Sequence, residues 1–273
     1  MKQKNILLWF AGCIYFILIP FLLIVIYFMS SSLEGYLSLD TSHPTLLNIL
    51  GAHYLHSDLI HLLSNLILYL FFMIVIFVCD AFTNQKMLFI NLLLLFILLP
   101  IFSSFIDILA FSAMGIDTVA KGFSDIVAGV FGYLAFSFLH FLRDHYKTNF
   151  KHDILPLLWF FLLVNLLWIC IIYVNYFLIL LLVLILIVWS YSIRFDIRKI
   201  YEITGSSNRV EKAATFGVLT FYLFVGIFYF FPSEILYNNS IVDILAHYVG
   251  YVYGAMVPAL VSTYGVERRM KKY

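Results

Sequence analysis

Residues 56–79 read HSDLIHLLSNLILYLFFMIVIFVC. From Leu59 onward the segment is almost wholly apolar, and about 20 such residues in a helix reach across the hydrocarbon core of a bilayer. The reading is a membrane-spanning helix whose entry carries three polar side chains, His56, His61 and Asn65. Similar apolar stretches run at 5–29, 87–111, 122–142, 154–174, 177–193, 213–231 and 241–263. Only Asn175 and Tyr176 interrupt the run 154–193, but about 40 residues is twice one crossing, so a tight hairpin is expected there. The expectation is an all-α polytopic membrane protein of about eight spans, folded as one membrane-embedded domain over residues 1–273.

Composition agrees. Of 273 residues, 64% are hydrophobic and 11% charged, a balance that could not clothe a water-soluble surface. A formal net charge of +1 gives no overall pull toward nucleic acid. Cys13, Cys79 and Cys170 each lie inside an apolar run and read as packing residues, with neither a disulfide framework nor metal-ligand spacing. The first apolar run, Ile6 to Met29, is too long for a signal-peptide core and lacks a small-residue cleavage site, so a retained span is expected. Eight spans with the N-terminus inside put 15 of the 16 basic residues on the cytoplasmic side, leaving Lys121 outside. The expected place is the cell membrane with both termini cytoplasmic. The first outer loop, 30–58, is rich in Leu and Tyr and is expected to lie partly in the interface.

Polar side chains inside spans are costly, so each is a functional hypothesis. Three clusters fall at the outer third of their helices. In the first, His61 and Asn65 are four apart and share a helix face. In the second, Gly122 and Ser124 open the fourth apolar stretch. In the third, His247, Gly250 and Gly254 form one stripe along the last stretch. Ser124, Ala128 and Gly132 form a matching stripe of small residues, which lets two membrane helices approach closely. That approach has a chemical consequence, because a serine hydroxyl becomes a good nucleophile only when a base within about 3 Å takes its proton. Ser124 and His247 are the candidate nucleophile and base. The tetrahedral intermediate of acyl transfer also needs donors for its oxyanion, and His61, Asn65 and the Ser124 backbone N–H suit that role.

Together these motifs resemble rhomboid intramembrane serine proteases. The family pattern of His, a second His five on and Asn four further is matched by His56, His61 and Asn65. Its G-x-S motif is matched by Gly122 and Ser124, its following Gly-Tyr by Gly132 and Tyr133, and its His-x-x-Gly-x-x-x-Gly by His247, Gly250 and Gly254. The resemblance implies a six-helix core with 154–193 as an inserted hairpin, a Ser124–His247 dyad, His61 and Asn65 as oxyanion donors, and His56, Gly122, Gly250 and Gly254 in support. It also implies transmembrane proteins as substrates, lipid as surroundings and no cofactor or metal. There are departures: Asp125 stands where family members commonly carry Gly, and Ala128 where many carry a Tyr that stacks on the catalytic His. No Trp-Arg pair occurs in the first outer loop.

Blander readings compete with each motif. A lone serine in a membrane helix ordinarily bonds back to its own helix, and His43, His53, His140, His145 and His152 read as interface or loop residues. Asp107 reads as lying near a span end within reach of water, and Asp243 as a cap of the last helix. Besides the protease, two other classes fit: a rhomboid-like protein that binds membrane helices without cutting, and a metal-dependent or transport protein using His53, His56, Asp58, His61 and His247. The last lacks any H-E-x-x-H motif and any polar path across the membrane.

Overall fold

The computed structural model describes residues 2–83, 85–145, 154–172, 175–205, 217–218, 221–222, 236–237, 240–241 and 244–270. In chain order the elements are α1 (Lys2–Cys13), a π-helical segment (Ile14–Leu18), α2 (Ile19–Phe28), α3 (Ser30–Leu37), β1 (Leu39–Asp40), α4 (Leu46–Gly51) and a 3₁₀ turn (Ala52–Tyr54). There follow α5 (Leu59–Phe82), α6 (Gln85–Met114), β2 (Val119–Ala120), α7 (Ser124–His145), α8 (Ile154–Ile172), α9 (Tyr176–Gly205), β3 (Leu236–Tyr237), β4 (Ser240–Ile241) and α10 (Ile244–Met270). Among the described residues five helical stretches are long and apolar enough to cross a membrane: Leu8–Phe28, Leu59–Ala81, Leu93–Met114, Ser124–Leu142 and Ile244–Ser262. Two shorter apolar helices are Leu158–Ile172 and Tyr176–Tyr191. Of the eight expected spans, 213–231 lies largely outside the described residues, as do His152, Asp243 and the His145 side chain.

The chain divides into two compact units, Met1–Phe141 with Leu245–Tyr273, and Leu142–Ile244. In the first unit, prolines decide where helices exchange hydrogen bonds. Pro100 inside α6 has no N–H for the carbonyl of Phe96, and the Tyr54 hydroxyl donates to that carbonyl instead, at 2.6 Å. In the π-helical segment an N–H reaches back five residues, so Pro20 leaves the Tyr15 carbonyl without its donor. The Tyr69 hydroxyl fills that role at 2.9 Å. Both tyrosines repair a backbone group that lipid could not, and in doing so Tyr54 ties the 3₁₀ turn to α6 and Tyr69 ties α5 to the first helix. Farther along α5, the buried Asp80 carboxylate accepts from the Tyr133 hydroxyl at 2.7 Å and the Ser137 hydroxyl at 2.6 Å, joining α5 to α7.

The loop at 30–58 is folded rather than slack. Thr45 and Asn48 form a reciprocal capping box at the start of α4, and Tyr36, Leu46 and Leu47 are exposed, as an interfacial segment requires. β1 pairs antiparallel with β2, setting Leu39 opposite Ala120 and Asp40 opposite Val119. Thr41 and Thr118 extend the pairing, and Lys121 pairs with Glu34. The segment that leads into α7 is thereby fixed by the first loop.

The second unit contains the expected hairpin. Asn175 receives the Leu178 N–H on its side chain at 3.2 Å and starts α9, and Trp189 Nε1 donates to the Pro156 carbonyl at 2.9 Å, so α8 and α9 run antiparallel. Two sequence expectations change: Asp107 and His140 are buried rather than placed at a water-accessible span end or an interface or loop, while His53 lies in the loop before α5 as expected but is buried there. Each sits on a face turned into the packed helices, His140 against Phe136 with ring centroids 5.6 Å apart.

Candidate active site

The site is built around the turn Gly122–Asp125. Gly122 has φ +146°, a conformation that L side chains rarely adopt, and its N–H donates to the Ala52 carbonyl at 3.0 Å. Phe123 is fully buried among Tyr54, Tyr69, Phe96 and His56, with ring centroids 6.0, 5.7, 6.2 and 6.4 Å away. Ser124 then opens α7 and is half-buried. The first backbone donors of a helix have no intrahelical acceptor. Here Asp125 Oδ1 takes the Ile126 N–H at 2.8 Å, and the N–H groups of Ser124 and Asp125 are left facing the helix start. Ser124 Oγ makes no hydrogen bond among the described residues.

His61 occupies the first turn of α5, where Asp58 caps the helix by accepting the His61 N–H at 2.8 Å. That bond, with the Ser57 hydroxyl, holds the Asp58 carboxyl below the usual carboxylate range. The His61 ring lies against Gly122: a Cβ on Gly122 would come within 3.2 Å of His61 Cε1. The same point is 3.7 Å from both His61 Nε2 and Ser124 Oγ. Gly122 is thus required twice, for its φ and for the space that lets an imidazole flank the serine. His61 is also within electrostatic range of His247 and Lys121.

The Asn65 side chain is buried, and Nδ2 donates to His56 Nε2 at 3.3 Å. One of its two amide hydrogens is therefore engaged with His56. The His56 ring meets His61 edge to face at 5.2 Å. Burial, and secondarily the neighbouring His61, push the His56 pKa down to about 4, which keeps it neutral and able to accept from Asn65.

The close approach of the last helix to α7 is present. A Cβ on Gly250 would overlap the Asp125 carbonyl, one on Gly254 the Gly129 carbonyl, and one on Gly132 the Tyr251 carbonyl. The backbones of α7 and α10 therefore touch through Asp125, Gly129 and Gly132 on one side and Gly250, Tyr251 and Gly254 on the other. Gly132 of the expected small-residue stripe is thus in the seam, and Ala128 is fully buried. His247, also buried, precedes Gly250 by three residues and so sits one turn from the point where Asp125 is touched.

Sequence reasoning named His53 and Asp125 separately and missed their pairing. His53 Nδ1 lies 2.8 Å from Asp125 Oδ2 in a buried, bent ion-pair contact. His53 Nε2 is 2.7 Å from Ser104 Oγ, and Ser104 in turn donates to the Ile49 carbonyl at 2.9 Å. Asp125, adjacent to the serine in sequence, thus turns its carboxylate away toward the 3₁₀ turn. The available signal was the combination of His53 in a loop close to His56 with an unexpected acid after Ser124. No three His, Cys, Asp or Glu side chains among the described residues are arranged to hold a metal ion, so the metal-binding set expected as an alternative does not assemble there.

No family model, curated protein or solved structure matches the chain. The resemblance to rhomboid proteases rests on the sequence motifs alone.

Proposed function

We propose that the chain is an intramembrane serine endopeptidase of rhomboid type, cutting transmembrane segments of other membrane proteins near the outer face of the cell membrane. The observation that carries this reading is the placement of Ser124. It is half-buried at the start of a buried helix, flanked by His61 across Gly122, on a helix whose backbone touches that of the His247 helix. His247 takes the Ser124 proton as Oγ attacks the scissile carbonyl, and the oxyanion forms at the start of α7 near the Ser124 N–H and the His61 ring. His247 then gives its proton to the leaving amine. A water molecule, deprotonated by the same base, hydrolyses the acyl-enzyme and restores Ser124. The charge pattern supports a cytoplasmic N-terminus, which puts this end of α5 and α7 on the outer side.

One observation favours a second reading, a rhomboid-like protein that binds membrane helices without cutting: among the described residues, Ser124 Oγ has no hydrogen-bonded base. Catalytic hydrogen bonds often tighten only when substrate is bound, so the two readings part on activity. Co-expression with a panel of single-span membrane proteins tests this. Cleavage by the wild type that vanishes in Ser124→Ala and in His247→Ala is the expected result. Cleavage that survives in either variant overturns the dyad.

A further inference from the structure

Three consecutive residues of the 3₁₀ turn each hold a different part of the site. The Ala52 carbonyl takes the Gly122 N–H, two residues before Ser124. His53 meets the carboxylate of Asp125, one residue after Ser124. Tyr54 plugs the carbonyl that Pro100 leaves open in α6 and packs on Phe123. Ser124 is therefore gripped on both sides by one short turn, while its own hydroxyl is tied to nothing among the described residues. The direction of Oγ depends on the backbone around it, and that backbone depends on the turn.

Proton counting shows why His53 suits this place. The single hydroxyl proton of Ser104 is donated to the Ile49 carbonyl, so Ser104 Oγ accepts from His53 Nε2–H. His53 Nδ1 then faces Asp125 Oδ2 at 2.8 Å, and a carboxylate taken out of water is tolerated only beside such a partner. Tyr54 is also within electrostatic range of Asp125. Asp125 is further fixed by its bond to the Ile126 N–H and by Gly250, which presses against its carbonyl. One residue thus links the first turn of α7 to α10, to the 3₁₀ turn and, through His53 and Ser104, to α6 and α4.

We propose that His53 and Asp125 are a positioning pair that fixes the first turn of the nucleophile helix and hence the direction of the Ser124 hydroxyl and backbone N–H. This rests on reading Ser124 as the nucleophile. The pair stands where the resembled family commonly has glycine after the serine, so in this chain a charged contact does the holding.

The test is the kinetics of labelling by a fluorophosphonate probe in detergent, resolved into the maximal rate kinact and the half-saturating concentration KI, with thermal unfolding followed in parallel. His53→Gln leaves the Asp125 carboxylate buried and unpaired, and should lower kinact about tenfold or more with KI unmoved, since misaligned reacting groups lose rate rather than affinity. Adding Asp125→Asn removes the stranded charge and should recover most of that loss. Ser104→Ala deletes the acceptor behind the ring together with its bond to the Ile49 carbonyl and is the mildest change; it should lower kinact about threefold with KI unmoved, and it decides the matter if His53→Gln does not fold. Wild-type kinact in His53→Gln or in Ser104→Ala overturns the pair. So does a change in KI alone, or a double variant slower than His53→Gln. An unlabelled wild type instead removes the nucleophile, and the positioning role with it, which separates the two failures.

Discussion

Phe123 and Asp125 are 0% and 2% exposed, whereas Ser124 between them and His61 beside it are only half-buried. Phe123 and Asp125 enter an aromatic pocket and a buried His-Ser relay; Ser124 and His61 face a rim that also holds Lys121. Adjacent residues on a helix point about 100° apart, so three neighbours in sequence serve two separate environments. The comparison teaches that the rigidity of the site and its chemistry are carried by alternate residues of a single turn. Changes on the sealed side should cost stability and drag reactivity down with it, while changes on the open side should cost reactivity alone.

The largest effect on the fold is expected from Phe123→Ala. It empties a fully buried ring site lined by Tyr54, Tyr69, Phe96 and His56, and the usual cost of such a truncation is about 3–5 kcal/mol. The thermal midpoint in detergent should drop sharply and fluorophosphonate labelling should fall with it. A midpoint close to wild type would mean that the sealed side does not hold the turn.

A smaller loss is expected from Tyr54→Phe, which strands the Phe96 carbonyl opened by Pro100. An unsatisfied buried acceptor costs about 1–3 kcal/mol. Adding Pro100→Ala restores the helix's own donor, so the double variant should be more stable than Tyr54→Phe alone, as read by the same melting curves. If Pro100→Ala gives no relief, the hydroxyl has some other role.

The smallest effect is one of pH. His56 is held near 4 when folded, against an ordinary 6.5, so between those values the unfolded chain binds more protons than the folded one. Its contribution to stability is therefore fully present above pH 6.5 and is lost as pH falls toward about 4. Melting curves of the wild type should shift down between pH 7 and pH 4, and His56→Gln should flatten that part of the dependence. An unchanged slope in the variant would place the acid sensitivity elsewhere.

Much of this arrangement was legible in local patterns. The helix start at His61 and Asn65, the turn at Gly122 and Ser124, the hairpin break at Asn175 and the small-residue contact of α10 all follow from spacing, composition or helical periodicity. What escaped depends on partners distant in sequence. His53 reads as a loop histidine until Ser104 and Asp125 are brought to it from 51 and 72 residues away. The roles of Tyr54 and Tyr69 emerge only when Pro100 and Pro20 are seen to open carbonyls beside them. Asp125 follows Ser124 in sequence, but the helical rotation of one residue turns its carboxylate toward His53. The face of Asn65 is set by α5, whereas its bond to His56 depends on the loop before that helix.

The most direct test of the central claim, that Ser124 is an activated nucleophile, is mass-spectrometric mapping of the fluorophosphonate adduct on the purified wild type, Ser124→Ala and His247→Ala proteins. The account predicts an adduct on the peptide carrying Ser124 in the wild type and none in either variant, with all three melting alike. An adduct on another residue, or a wild-type protein that melts cooperatively yet carries no adduct, would contradict it.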